Sequence, residues 1–369
     1  MIGLAVVLVA ILITILLGGL QALLNFGQWL FGPKGRKQDD DISLQEHDPA
    51  APGGDVDLSA IPIPAAPHGR RAEVRYVHEL LRHGRVATLL GLGGVGKSAL
   101  AGMVAEAARA DFAAVWGFSL AADPTKAGFL ARLGEKLFGK DAAASPDLEA
   151  RVLAALGEAR RLLVLDDFET VLRARANGDP GAVALYDLLG RTGKRTHLLL
   201  VAGDAPTELV DEDAIWVPRI ERDAATRILH EAMGPRRHEF HEEASHEIVD
   251  ALNRHPLACR LAGGFFGQDG AKAKETAARL HESISAARAK SAHPSLAGLA
   301  VALDLCVAAL SPEEHRVLSA ACAFSGPFAP DPAWGGAALD RLVGLGLVKR
   351  APGDAGRFRV HALVREGIA

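Results

Sequence analysis

From residue 68 to about residue 220, short apolar runs alternate with longer stretches of helical pattern. The apolar runs, which predict strands, are residues 86–90, 113–120, 162–165 and 197–201, and the helical stretches include residues 73–82, 98–110 and 149–160. Strands that are apolar on both faces and alternate with helices are typical of a parallel sheet covered by helices on both sides. The pattern therefore predicts an α/β domain over residues 67–220.

The pattern changes near residue 220. Residues 221–290 are almost entirely helical in pattern, interrupted at Pro256 and at Gly263 and Gly264, and predict a helical domain. Residues 291–369 begin as helix, with Ser311 as a good helix start, and end as two short strand-like runs, 347–350 and 357–360, around a turn that contains proline and glycine. Helices followed by a hairpin are typical of a winged helix, so we predict a winged-helix domain over residues 291–369.

The amino-terminal segment differs from the rest. Residues 1–20 carry no charged side chain, and about 20 apolar residues suffice to cross a bilayer core of about 30 Å. Aromatic residues and then basic residues follow at 26–37, as at a membrane interface and its cytoplasmic side. We predict a transmembrane helix over residues 1–26 of a single-pass membrane protein, with the N-terminus outside, a juxtamembrane linker over residues 27–66 and the remainder cytoplasmic. A cleaved signal peptide and a buried core helix are the alternatives.

Composition narrows the function. The chain has 369 residues and a formal net charge of −4, so it lacks the basic excess of a typical nucleic-acid-binding protein. The three cysteines, Cys259, Cys306 and Cys322, are far apart in apolar runs. We interpret them as buried hydrophobic residues rather than disulfides or metal ligands.

The first motif with chemistry follows the apolar run 86–90. Residues 91–98 read Gly-Leu-Gly-Gly-Val-Gly-Lys-Ser, which matches the P-loop pattern of nucleotide-binding proteins. Its glycines let backbone N–H groups turn toward phosphate oxygens, and the helix that starts there adds its positive end. We predict that phosphates are bound by Gly91, Gly93, Gly94, Val95, Gly96, Lys97, Ser98 and Ala99.

The second motif is acidic and ends the apolar run 162–165. Asp166 and Asp167 follow that run, so the predicted strand delivers carboxylates to the sheet edge where the phosphates would lie. We predict that Ser98 and Asp166 hold Mg²⁺, and that Asp167 polarises the attacking water. Lys97 and Asp167 are therefore the candidate catalytic residues, and the cofactors are ATP or ADP with Mg²⁺.

The order of these motifs resembles the STAND class (signal-transduction ATPases with numerous domains) of P-loop NTPases, close to the NB-ARC type. The resemblance spans about residues 67–366. Residues 68–70, His-Gly-Arg, resemble the element ahead of the P-loop in that family, which implies that Gly69 and Arg70 contact adenine.

Two later segments resemble the same family. Residues 255–258, His-Pro-Leu-Ala, are similar to its GLPLA element, which implies that Pro256 packs against the base. Residues 357–365 resemble its "MHD" stretch, which implies that His361 touches the β-phosphate of ADP and holds the domains closed.

The chain departs from that family at three places. The run 197–201 should lead into an arginine that meets the γ-phosphate, but Ala202 and Gly203 follow, so Arg195 or Arg219 would have to substitute. The third "MHD" position is Ala362 instead of aspartate. Family members usually continue into a repeat that senses a signal, so we expect the sensor in another protein or in a longer form of this chain.

The resemblance implies a membrane-anchored signalling switch. ADP would lock an off state, ATP would favour a self-associating on state, and slow ATP hydrolysis would reset it, which is a regulatory rather than a metabolic role. The expected partners are adenine nucleotide, the membrane through residues 1–26, other copies of the chain and an unknown sensor protein. The alternatives are an ATP-dependent transcription regulator that binds DNA through the winged helix, which the charge disfavours, and a nucleotide-binding scaffold deficient in hydrolysis.

Overall fold

The computed structural model describes residues 54–64, 68–203, 207–268, 270–290, 293–351 and 354–368. Its strands are β1 (Asp55–Asp57), β2 (Val86–Leu90), β3 (Ala114–Ser119), β4 (Arg161–Asp166), β5 (Thr196–Val201), β6 (Glu212–Trp216), β7 (Val348–Ala351) and β8 (Asp354–Val360). Its helices up to residue 268 are α1 (Arg71–His83), α2 (Lys97–Ala107), α3 (Lys126–Phe138), α4 (Leu148–Glu158), α5 (Phe168–Ala176), α6 (Pro180–Gly190), α7 (Arg222–Met233), α8 (Glu242–Ala251) and α9 (Pro256–Gln268). The later helices are α10 (Gly270–Lys290), α11 (Ala297–Ala308), α12 (Pro312–Cys322), α13 (Gly336–Gly344) and α14 (Ala362–Ile368).

Six parallel strands form one sheet in the order β1-β3-β4-β5-β2-β6. The strand that enters the P-loop, β2, lies between β5 and β6, and Val86 is in register with Leu198 and with Glu212. The acidic strand β4 is therefore separated from β2 by β5. Because all six strands are parallel, their carboxyl ends meet at one edge of the sheet, where ligands bind in folds of this kind.

Strand side chains alternate between two apolar layers, as the period of a strand requires. Leu162, Val164 and Leu199 face the layer that contains α1 and the P-loop helix α2. Leu163 and Leu198 face the opposite layer, which contains α3 to α6. The structure thus has the parallel sheet with helices on both faces that the continuous apolar runs predict.

The transmembrane part of the predicted fold needs correction. Residues 1–26 and most of the predicted linker lie outside the described residues, and no described helix is long and apolar enough to cross a membrane. The longest described helix, α10, has 21 residues, but charged side chains recur along it from Lys272 to Lys290. The other described helices reach at most 13 residues, about 20 Å, against a bilayer core of about 30 Å. For the described chain, the predictions of a membrane-spanning helix and of a single-pass membrane location are wrong.

The helices after β6 share one apolar core with the hairpin at the end of the chain. This core extends from Ile220 through α7, α9 and α11 to Val364. Strands β7 and β8 pair antiparallel, with Val348 opposite Val360, and the backbone of Phe328 bonds to that of Phe358. Because apolar packing is continuous across residue 290, the predicted boundaries at 220 and 290 stay predictions.

Two adjacent glycines in α9 allow its neighbours to approach closely. A methyl group on Gly263 would lie 2.5 Å from the carbonyl oxygen of Leu229 in α7. A methyl group on Gly264 would lie 2.7 Å from the carbonyl oxygen of Gly344, at the end of α13. Both contacts are with backbone atoms, so a side chain at either position would force helices apart. The pair therefore holds α7 and the C-terminal helices against α9.

We predict that Gly264→Ala lowers the free energy of unfolding by about 1–3 kcal/mol, because overpacking displaces backbone instead of a side chain. Thermal and urea unfolding of the purified protein measure this. The matched control is Gly157→Ala in α4, where a methyl group meets nothing within 4 Å. The control should gain about 0.5–1 kcal/mol from helix propensity. Equal stability changes in the two variants would contradict the close packing at Gly264.

Candidate functional site

The P-loop lies at the carboxyl edge of the sheet, between β2 and α2. Gly94 and Gly96 have φ of 74° and 99°, in the left-handed region that other residues rarely adopt. Gly96 caps α2, so the free N–H groups of that helix begin directly at the loop. The backbone N–H of Gly91 donates to the carbonyl of Gly203, 2.9 Å away, which joins the loop to the end of β5. Such a loop presents backbone donors suited to phosphate oxygens.

The lysine of the loop is buried and points along it. Lys97 Nζ donates to the carbonyl of Gly91 at 2.8 Å and to that of Leu92 at 3.2 Å. These two contacts hold a positive charge at the mouth of the loop. This is the position from which a lysine reaches phosphate oxygens in P-loop proteins.

Two carboxylates meet the P-loop from β4. Ser98 Oγ donates to Asp166 Oδ1 at 2.8 Å, and Ser119 Oγ on β3 donates to Asp167 Oδ2 at 2.8 Å. Asp167 caps α5 with φ of 59°, a conformation that costs a residue with a side chain about 1–2 kcal/mol. Because of this turn, Asp166 and Asp167 accept hydrogen bonds from different hydroxyl groups at the same edge of the sheet.

Burial makes the Asp166 carboxylate costly to charge. Burial and then the charge of Asp167 raise the pKa of Asp166 to about 7, while the hydrogen bond from Ser98 acts in the opposite direction. Burial also raises the pKa of Glu169, whose Oε2 has no hydrogen-bond partner among the described residues. A divalent cation at Asp166 would offset the repulsion within this group.

The donor set fits Mg²⁺. Ser98 Oγ and Asp166 Oδ1 are hard oxygen ligands 2.8 Å apart, and Mg²⁺ in phosphate sites takes one or two protein oxygens together with water and phosphate. Within the described residues, no group of three or more histidine, cysteine, aspartate and glutamate side chains could hold a metal by itself. The protein ligands predicted from sequence, Ser98 and Asp166, are thus in contact, and a phosphate would be needed to complete the site.

Sequence reasoning missed Glu169. It lies in the first turn of α5, where its charge interacts with Asp167 and Lys97, and its Cβ faces Gly203 beyond β5. The only sequence signal is an acid three residues after the end of β4, and acids are common in the first turn of any helix. The distance of Glu169 from the P-loop depends on the direction in which α5 runs from the end of β4.

The beginning of α9 packs directly on the P-loop. His255 Nδ1 accepts the backbone N–H of Ala258 at 3.3 Å, so Nε2 carries the proton and donates to the carbonyl of Gly93 at 2.9 Å. Burial lowers the pKa of His255 to about 4, which keeps the ring neutral. The N–H of Leu257 donates to the carbonyl of Gly94 at 3.3 Å. Pro256, which sequence reasoning selected, is the first residue of α9, and its two neighbours make these contacts with the loop.

The turn that presents His255 is strained. Asn253 and Arg254 both have positive φ, 59° and 53°; asparagine tolerates this region, whereas at Arg254 it costs about 1–2 kcal/mol. Arg219, just beyond β6, donates to the side-chain oxygen of Asn253. The hydrogen bond from Arg219 thus stabilises this strained turn, and His255 at the end of the turn contacts the P-loop.

The C-terminal segment reaches the same loop. A methyl group on Gly93 would lie 2.8 Å from Leu363 Cδ1, so this leucine lies directly on the glycine. His361 Nδ1 accepts the N–H of Leu363 at 3.2 Å. Burial and the nearby charges of Lys349 and Arg359 lower the pKa of His361 to about 3, so its ring is neutral. Gly93 is therefore in contact with α9 through His255 and with α14 through Leu363.

The predicted adenine contacts lie beside the loop. Arg70 is only 4% exposed, and its guanidinium donates to Glu73 at 2.8 Å, to the carbonyl of Val95 at 3.0 Å and to that of Pro218 at 2.8 Å. A methyl group on Gly69 would lie 2.7 Å from the Cβ of Ala224 in α7. Arg70 thus bridges the P-loop to the segment after β6, and Gly69 packs against α7. A direct contact of either with adenine stays a prediction.

The two arginines considered as substitutes lie at opposite ends of the sheet. Arg195 precedes β5 and donates to the carbonyl of Glu158, at the amino edge of a strand about 20 Å long. It is therefore on the wrong edge to meet a phosphate. Arg219 follows β6 at the carboxyl edge, where its charge acts on His255.

The sheet, the P-loop and the paired Ser98 and Asp166 define a P-loop NTPase fold. The solved structure of the STAND protein with a tetratricopeptide repeat sensor, PH0952, from Pyrococcus horikoshii has this fold, with a TM-score of 0.55 and 15% identity over 85% of this chain and 44% of that one. This chain thus spans less than half the length of that protein, and at this identity the likeness shows the fold alone.

Two other solved ATPase structures are less similar to this chain. They are the Walker-type ATPase of Pyrococcus abyssi, with a TM-score of 0.43 and 15% identity over 85% of this chain and 99% of that one, and AMPPCP-bound DnaA from Aquifex aeolicus, with 0.37 and 14% over 67% and 81%. No protein-family model and no curated protein matches the sequence.

We predict that Asp166→Asn stabilises the metal-free protein at pH 8. The folded pKa of about 7 lies above the ordinary carboxyl value, so the folded protein binds more protons and loses stability as pH rises from about 4 to about 7. The difference is worth up to about 4 kcal/mol. Thermal melting in a chelator should show a higher Tm for the variant at pH 8 and equal Tm values at pH 4.

The exposed Asp340→Asn variant is the control and should melt like the wild type at both pH values. Addition of Mg²⁺ with nucleotide should then stabilise the wild type more than Asp166→Asn. A lower Tm for Asp166→Asn at pH 8 without metal would show that the carboxylate is not penalised by burial.

Proposed function

We propose that this chain binds Mg-ATP or Mg-ADP at residues 91–99 and acts as a STAND-type nucleotide switch of the NB-ARC kind. The observation that carries the proposal is the contact of Gly93 with both His255, the residue before α9, and Leu363 of α14. A change in the phosphate-binding loop thereby reaches the helical and C-terminal segments directly. An enzyme that only turned over substrate would not need two other segments on the backbone of its P-loop.

Each predicted residue has a role in this proposal. The backbone of the loop and Lys97 bind the phosphates, Ser98 and Asp166 hold the metal, and Asp167 orients water. Arg70 contacts the loop, Gly69 precedes it, and Pro256 lies between two residues that contact the loop, which supports an adenine pocket lined by these three residues. Mg²⁺ would supply charge neutralisation for the phosphates and for the acidic pair.

The switch requires contacts that differ between two states, because a ligand shifts an equilibrium only through its different affinities for them. In the proposal, ADP favours the arrangement in which Leu363 and His361 pack at the loop. ATP favours release of that segment and self-association of the chain. A separate sensor protein, or further sequence, would bias the same equilibrium. The proposal includes slow hydrolysis, with a regulatory role.

A scaffold deficient in hydrolysis is the second candidate, and one observation favours it. The carboxyl end of β5 continues into Ala202 and Gly203, and Arg195 lies at the opposite edge of the sheet. No arginine therefore reaches the phosphates from β5. A single-turnover measurement with Mg-ATP separates the candidates, because a scaffold would release no ADP.

We predict that Lys97→Ala weakens Mg-ADP binding at least 100-fold, because the loop loses the buried cation that faces the phosphates. Isothermal titration calorimetry of the purified full chain measures the affinity. The exposed Lys140→Ala variant is the control and should bind like the wild type. Unchanged ADP affinity in Lys97→Ala would exclude the P-loop as the nucleotide site.

We predict that His361→Ala speeds ADP release by about tenfold, because the neutral ring no longer orders the segment that covers Gly93. Stopped-flow displacement of a fluorescent ADP measures the rate, and a tenfold change corresponds to about 1.4 kcal/mol. His315→Ala, on the exposed side of α12, should release ADP at the wild-type rate. If the two variants release ADP equally fast, His361 has no part in closure.

A further inference from the structure

A short segment ahead of α1 runs from the edge of the sheet to the P-loop helix. We call residues 54–63 the strap. Its first part is β1, which extends the sheet beyond β3 as a parallel strand. Trp116 Nε1 on β3 donates to the Asp55 carboxylate at 3.0 Å, and Lys136 of α3 forms an ion pair with Asp57. The first part of the strap is therefore tied to a strand and to a helix of the α/β domain.

The second part of the strap is buried. Leu58 is 7% exposed and Ile61 is 1% exposed, and both belong to the apolar layer that contains α1 and α2. Ile61 lies on Gly117 of β3, where a methyl group would overlap the isoleucine side chain. The backbone N–H of Ile61 donates to the carbonyl of Leu58 at 2.9 Å, which closes a turn between them. The strap is thus held at the sheet by apolar contact as well as by strand pairing.

The end of the strap lies against the helix that follows the P-loop. A methyl group on Gly102 of α2 would lie 2.5 Å from the carbonyl oxygen of Pro62 and 3.2 Å from Ile63 Cγ1. The absence of a side chain at Gly102 therefore lets the backbone of the strap touch the helix. Gly102 is five residues after Lys97, which is about 7.5 Å along a helix. The strap thus contacts the same short helix that carries Lys97 and Ser98 at its start.

The helix needs a cover on this side because its middle has no polar face. Residues 99–105 read Ala-Leu-Ala-Gly-Met-Val-Ala, without a polar side chain. A helix that is apolar on all sides has to be enclosed by other segments. Leu100 and Val104 pack in the layer next to the sheet, and α1 packs on another side of α2. The strap covers the side at Gly102, so departure of the strap would expose apolar helix surface to water.

We propose that the strap holds the P-loop helix in the position that binds nucleotide, and that bound nucleotide in turn holds the strap in place. The inference rests on the proposed function, and it assigns a role to a segment that precedes all the nucleotide-binding motifs. Without the strap, α2 shifts to cover its exposed side, and Lys97 and Ser98 move with it. Because linkage is reciprocal, nucleotide stabilises the docked strap by the same factor by which the strap raises nucleotide affinity.

Isothermal titration calorimetry of Mg-ADP with the full chain tests one direction of this linkage. We expect Ile61→Ala, which removes the buried anchor of the strap, and Gly102→Ala, which displaces Pro62, each to weaken binding by about tenfold, an ordinary size for coupling between sites. Leu156→Ala is the matched control, because Leu156 is also 1% exposed but lies in the layer on the opposite face of the sheet. It should lose thermal stability as Ile61→Ala does and bind Mg-ADP like the wild type.

Hydrogen exchange of the wild-type protein tests the other direction. Saturating Mg-ADP should slow the exchange of amides in residues 54–63 by about tenfold, since the coupling factor is the same from either side. The Lys97→Ala variant is the control, and Mg-ADP should leave its exchange unchanged. A strap with a structural role alone would exchange at the same rate with and without nucleotide. This measurement also decides the matter if a strap variant fails to fold.

Three results overturn the inference. They are wild-type affinity for Mg-ADP in both Ile61→Ala and Gly102→Ala, an equal loss of affinity in Leu156→Ala, and strap exchange that Mg-ADP does not slow. The proposed function stands in each case if the wild type binds Mg-ADP and Lys97→Ala does not. If the wild-type chain does not bind Mg-ADP, the proposed function fails together with the inference.

Discussion

The backbone of Gly93 and Gly94 is the point on which the arrangement of this protein depends. The carbonyl of Gly93 accepts from His255, the carbonyl of Gly94 accepts from Leu257, and Leu363 lies on Gly93. A side chain at either glycine would meet one of these neighbours. The absence of side chains in the loop thus allows two distant segments to contact its backbone, whose N–H groups would bind phosphate.

Acidic charge is concentrated at the carboxyl edge of the sheet. This edge contributes Asp166, Asp167 and Glu169, of which Asp166 and Glu169 have raised pKa values because of burial. A metal ion held by Ser98 and Asp166 would offset the repulsion among these carboxylates, so metal binding and the stability of this edge are physically linked.

The sequence motifs predicted which residues meet at the carboxyl edge of the sheet. The glycine run 91–98 and the two aspartates after residue 165 meet at one sheet edge because parallel strands end there together. The apolar segment 1–26 suggested a membrane helix, but it lies outside the described residues, and no described helix is long and apolar enough to cross a membrane. The sequence alone allowed Arg195 to substitute for the missing arginine, but Arg195 precedes β5 and therefore lies at the amino edge of the sheet, away from the P-loop.

The sequence by itself determined the contiguous features: the P-loop, the acid that follows a buried strand and the alternation that makes a sheet with helices on both faces. These depend on neighbours in the chain, so spacing suffices to predict them. Only the tertiary structure decided that His255 contacts the loop and that Leu363 covers Gly93. Spacing cannot show what these side chains meet, because the partner is brought there by packing between segments more than 150 residues apart.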